Sequence, residues 1–105
     1  MGWHEGKYYY RVGLLRYIAE NYDHLYTEGI AFDGLYEEYN LFRIAEYKAD
    51  FDISLKKLPR RMRKVIEAVI QGIPDRVMEM RGYYEVGKLR RMAYHRMKEI
   101  LNADR

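Results

Sequence analysis

Residues 72–92 read GIPDRVMEMRGYYEVGKLRRM. Of the three glycines in this stretch, Gly72 and Gly82 stand where a helix has to stop. Glycine tolerates the left-handed conformation that ends many helices, because it carries no Cβ to clash with the following carbonyl. Pro74 then suits the opening of a new helix: its φ is already helical and its missing N–H is not needed in a first turn. Asp75 in that turn is favourable to the helix dipole. Barely two turns later Gly82 closes the piece, and a longer, more basic helix runs from Glu85 to about Leu101. Val86, Leu89, Ala93, Met97 and Ile100 share one face of it, which turns Lys88, Arg91, His95 and Lys98 outward.

Upstream the same punctuation recurs. Pro59 disfavours a helical Leu58 and opens another helix, in which Met62, Val65, Ile66, Val69 and Ile70 form a stripe at helical spacing up to Gly72. Before it, Leu35, Tyr39, Phe42 and Ala45 or Glu46 begin a periodic run that continues through Phe51, Leu55 and Leu58, with an interruption expected near Asp50. Residues 29–34, GIAFDG, break the pattern. From Tyr9 to Tyr26 one amphipathic helix is expected, with Val12, Leu15, Ile18, Ala19, Tyr22 and Leu25 or Tyr26 on its apolar side. No run alternates polar and apolar residues as a strand does. The expected fold is all-α, with about five helices.

At 105 residues the chain has room for one hydrophobic core and not for two. The absence of cysteine excludes disulfides and thiolate chemistry. No leader or membrane-spanning run is recognisable, so a cytoplasmic location and no membrane partner are expected. The net charge of +3 hides a division. Residues 1–55 carry 5 Lys+Arg against 10 Asp+Glu, whereas residues 56–105 carry 14 against 6. Such asymmetry points to a polyanion as partner of the cationic half.

A short helix, a tight turn and a more basic second helix are the sequence form of a helix-turn-helix, whose second helix enters the major groove of double-stranded DNA. Phosphates flank that groove, so Lys88, Arg90, Arg91, Arg96 and Lys98 are placed to neutralise them, and arginine also grips the O6 and N7 acceptors of guanine. Residues 55–72, LKKLPRRMRKVIEAVIQG, followed by a short helix, a glycine and a basic helix containing Tyr94, His95 and Arg96, resemble region 4 of the sigma-70 family. In character they are closest to the small sigma-like regulators of phages. The resemblance spans residues 50–102. It implies that Pro59–Ile70 is a supporting helix, Asp75–Arg81 the first helix of the motif and Glu85–Lys98 the reader of a promoter element, with RNA polymerase as a second partner. Glu85, Lys88, Arg90, Arg91, His95, Arg96 and Lys98 are then the expected DNA-binding residues. The chain departs from the family pattern at Met78 and Arg81, where alanine and leucine are usual, in lacking serine or threonine caps on the motif helices, and in a turn one residue longer.

Other signals are plainer. Arg60, Arg61, Arg63 and Lys64 crowd the first turn of the supporting helix, against its dipole, which fits contact with phosphate or polymerase as well as simple solubility. His4, His24 and His95 are far apart and lack ligand spacing, so no metal is expected. Glu37 and Glu38 diverge on a helix and make a poor acid–base pair. With no nucleophile motif or phosphate loop either, neither an enzyme nor a cofactor is expected. Nine of the twelve tyrosines lie in the first 47 residues. Tyr8, Tyr9 and Tyr10 are consecutive and cannot all point into a core, so tyrosines facing a partner and tyrosines packed with some rings left wet are both open. Residues 1–49 are expected to pack on residues 50–105 and to bind a partner or form a homodimer. The expected function is a sequence-specific, phage- or prophage-type transcriptional regulator. The alternatives are a protein-binding module that engages RNA polymerase or a sigma factor without reading DNA, and a phage DNA-packaging recognition subunit.

Overall fold

The computed structural model describes residues 10–25 and 44–103. Among them are five α-helices and no strand: α1 (Val12–Glu20), α2 (Ile44–Lys56), α3 (Arg60–Gln71), α4 (Asp75–Met80) and α5 (Val86–Asn102), with one turn of 3-10 helix at Tyr22–His24. The all-α class is as expected. α5 lies at the centre and packs against each of the other four helices.

The two glycines end their helices by the same device. Gly72 has φ 74°, and the N–H of Ile73 donates to the carbonyl of Ala68 at 2.9 Å while that of Gly72 donates to Val69 at 3.1 Å. Gly82 has φ 97°, and Tyr83 donates to Met78 at 3.1 Å while Gly82 donates to Glu79 at 3.0 Å. Each is a Schellman ending, which satisfies carbonyls that the helix leaves unpaired. In each the residue after the glycine joins the residue it donates to in one apolar cluster: Ile73 with Ala68, Tyr83 with Met78.

Several boundaries differ from those expected. Pro59 and Pro74 sit one residue ahead of their helices, extended at ψ 151° and 154°, and their carbonyls accept the first helical bonds, from Arg63 at 2.9 Å and Val77 at 3.0 Å. α2 runs through Asp50 without a break. The expected helix from Tyr9 to Tyr26 is shorter, because the backbone N–H and the side-chain Nδ2 of Asn21 both donate to the Tyr17 carbonyl at 3.0 Å and close α1. The 3-10 turn that follows repeats every three residues. Leu25 therefore stays on the core side, and the apolar spacing outlasts the α-helix. Residues 29–34 and the run from Leu35 to Phe42 lie outside the described residues.

The larger core cluster draws on α1, α2, α3 and α5. Tyr10, Leu14, Leu15 and Ile18 meet Tyr47, Phe51, Ile66 and Met97 there, all buried. The Tyr10 ring stands edge-on to Tyr47 at 5.9 Å, and its hydroxyl donates to Asp50 at 2.7 Å. Its backbone is held as well: the N–H donates to Asn102 Oδ1 at 2.8 Å, and Asn102 Nδ2 donates back to the Tyr10 carbonyl at 2.9 Å. Tyr22 packs beside Phe51 at 5.9 Å and donates to Asp52 at 2.7 Å. Tyr10, Tyr17, Tyr22 and Tyr47 thus all lie in or against the core. Tyr8, Tyr9, Tyr26, Tyr36 and Tyr39 lie outside the described residues. Position 49 falls inside α2, whose Tyr47 and Phe51 share one core with α5.

The smaller cluster joins Val65 and Ala68 of α3, Met78 of α4 and Val86 of α5, with Ile73, Tyr83 and Leu89 packed against it. Among the described residues no helix is long and apolar enough to cross a membrane.

Candidate nucleic-acid interface

The exposed residues of α5 form a regular stripe. Lys88, Arg91, Met92, His95, Arg96 and Glu99 are all exposed and follow one another at helical spacing, opposite Val86, Ala93 and Met97. Three permanent cations and a histidine share that stripe with one acid. Not all of the charge is free. Lys88 lies 3.8 Å from Glu85, and Arg96 lies 3.4 Å from Glu99, both exposed pairs of little strength. Arg91 makes no ion pair with any described residue. Lys98 is half-buried at the edge of the stripe.

Arg90 is placed differently. It is four residues after Val86 and four before Tyr94, both buried, so it leaves the helix on the packed side. There it forks onto Asp75, Nη1 to Oδ1 at 2.7 Å and Nη2 to Oδ2 at 3.2 Å, and fastens the start of α4 to α5. The hydrogen bond from Arg90 holds the Asp75 carboxyl below its usual range, and the same bond keeps the guanidinium more firmly protonated. The Asp75 side chain is 48% exposed, so the fork orients the helices more than it stabilises them.

Glu85 stands at the N-cap of α5, exposed and left-handed, with φ 51° and ψ 50°. A non-glycine residue in that region carries roughly 1 kcal/mol of strain. It was expected to be the first helical residue. Instead it bends the chain into α5, and α3, α4 and α5 alike begin without a side-chain cap. The cationic cluster on α3 is partly engaged: Arg61 lies over the Tyr83 ring at 4.9 Å and Lys64 is 3.6 Å from Glu67, whereas Arg60 is exposed and Arg63 half-buried.

α1 borders the α5 stripe. Val12 and Arg16 face Gly87, Arg91, Tyr94 and His95 across a cleft of about 340 Å³. Tyr94 is buried there, and its hydroxyl has no hydrogen-bond partner among the described residues. Burial, and then the negative charge of Glu20, push this phenol up to about 12. An unpartnered buried hydroxyl costs about 1 to 3 kcal/mol. Arg16 did not stand out in the sequence, and Tyr94 did so only as part of the sigma-like resemblance; the packing of α1 on α5 brings the two together. No group of three potential ligands able to hold a metal ion occurs among the described residues, which include His24 and His95. Comparison of the chain with protein-family models, with curated proteins and with solved structures found no match.

Proposed function

We propose that the protein is a sequence-specific DNA-binding transcriptional regulator that lays α5 into the major groove, with α4 and the turn at 81–85 as the first part of a helix-turn-helix and α3 as its support. The observation that carries this reading is the exposed stripe of α5, in which Arg91 has no acidic partner among the described residues. A helix of 17 residues spans about 26 Å, enough to cross the groove with both ends near backbone phosphate. The sequence resemblance to region 4 of sigma-70 family factors supports the same reading. Met78 fits it too: the larger side chain at the place of the usual alanine fills the smaller core cluster. With Arg90 turned to Asp75, base contact falls to Arg91, flanked by Lys88 and His95.

A second reading has its own observation. Met80 and Tyr84 are 79% and 77% exposed at the end of α4 and in the turn, side chains suited to a protein surface such as RNA polymerase. One pair of experiments separates the two. Duplex DNA selected from a random pool is titrated across a salt series, and RNA polymerase is pulled down in parallel. On the selected site, Arg91→Ala should cost about 1 to 3 kcal/mol and flatten discrimination at one base pair, whereas Arg61→Ala should weaken all sequences alike and lower the salt slope by about one. If no sequence is enriched and Met80→Ala with Tyr84→Ala abolishes polymerase capture, the protein-binding reading replaces the first.

A further inference from the structure

We propose that the cleft between α1 and α5 is a phosphate site, in which Arg16 and Arg91 hold the oxyanion from two sides and the Tyr94 hydroxyl donates to it. The assignment goes beyond groove reading, since it needs no duplex and depends on a residue of α1. Four observations converge on it. Arg16 and Arg91 line the same cleft from different helices, and neither makes an ion pair with a described residue. Tyr94 lines it as well, only 3% exposed, with a hydroxyl that finds no acceptor among the described residues. Gly87 brings the first turn of α5 to the cleft, where amide N–H groups lack helical acceptors and the helix dipole is positive. His95 adds a further donor at the rim.

The chemistry suits a phosphate. Two guanidiniums supply two full positive charges and planar pairs of donors that match phosphate oxygens. The third arginine of the cleft, Arg90, is already neutralised by Asp75. A phenol is protonated, and so able to donate, at neutral pH without assistance; burial first, and then the negative charge of Glu20, only push its ionisation further up. The cleft is wider than a single phosphate, and Val12 offers an apolar wall to whatever the phosphate is attached to. That attachment is either the sugar of a DNA backbone at the groove edge or a small phosphorylated molecule.

The test uses thermal melting of the full chain in inorganic phosphate and in sodium chloride at matched ionic strength, for wild type, Arg16→Gln and Tyr94→Phe. Phosphate should raise the wild-type Tm above its chloride value, and Arg16→Gln should lose most of that increment. Tyr94→Phe should melt at or above wild type in chloride, since it removes an unpaired buried hydroxyl, yet gain less from phosphate. A purely structural tyrosine would not give these opposite signs. No increment in wild type, or equal increments in all three proteins, overturns the site. The occupant follows from competition. If inorganic phosphate displaces duplex DNA from wild type more than chloride does, and this excess vanishes in Arg16→Gln, the site is upheld with the DNA backbone in it. If the phosphate increment persists in a protein that binds no duplex, the site is upheld with a small phosphorylated ligand, and the DNA-binding reading fails by itself.

Discussion

The two apolar clusters of this protein are built on different plans. The larger one is assembled from distant parts of the chain, α1, α2, α3 and α5, and long-range hydrogen bonds from Tyr10 and Tyr22 to α2 and from Asn102 to Tyr10 fasten it. Among the described residues the smaller one draws only on 65–89, and local devices hold it: two glycine endings and one exposed fork between Asp75 and Arg90. α4 sends a single buried side chain, Met78, into that cluster. The stripe proposed to meet DNA therefore starts on the less buttressed of the two plans, where local opening is cheaper than global unfolding. It continues over the larger core, where α5 is hard to displace.

Substitutions sharpen or break this contrast. The largest loss is expected from Phe51→Ala, which empties the middle of the larger cluster and should cost about 3 to 5 kcal/mol in urea denaturation, with every helix melting in one transition. Separate transitions for α1–α2 and α3–α5 would mean that the cluster is not shared. Met78→Ala should cost less, about 2 kcal/mol, and act locally. Amide exchange should quicken in α4 and residues 81–85 while α2 stays protected, and uniform acceleration would erase the distinction between the plans. Gly72→Ala forces a Cβ into a left-handed position and should cost about 1 kcal/mol, although no atom stands within 4 Å of that Cβ. An unchanged stability would show that α3 does not depend on its glycine ending.

Asp75→Asn removes the fork and should cost below about 1 kcal/mol at neutral pH, because the pair is exposed. The folded carboxyl titrates below its ordinary value of 3.8, so the pair contributes fully above that value and is lost as pH falls through the lower folded one. Wild type and Asp75→Asn should accordingly converge in acid, and a gap that widens there would contradict the fork. Smallest, and of opposite sign, is Glu85→Gly. It relieves the left-handed strain at the start of α5 and should stabilise the fold by about 0.5 kcal/mol, even though it gives up the contact with Lys88.

What the sequence disclosed was whatever local rules write. Gly72, Gly82, Pro59 and Pro74 each act within a few residues of chain, so helix ends read from them fell within one position of those observed. The stripe of α3 was equally plain. The rest depends on tertiary packing. α5 touches four helices, so its buried arc is wider than the single apolar face that periodicity suggests, and it takes in Tyr94 and Leu101. Arg90 falls within that arc and meets Asp75. The left-handed Glu85 carries no sequence mark, since nothing about glutamate announces it. Arg16 could be joined to Arg91 only once α1 was seen to lie along α5.

The two hydrogen bonds between Tyr10 and Asn102 link residues 92 positions apart. During synthesis at about 5 to 20 residues per second, the asparagine follows the tyrosine by roughly 5 to 20 s. In the later part of that interval Leu14, Leu15 and Ile18 of α1 have been made while the last turns of α5 have not. The chain cannot close its main core piece by piece from the front. It closes late, when α5 arrives, and until then the apolar side chains of α1 lack the partners that bury them.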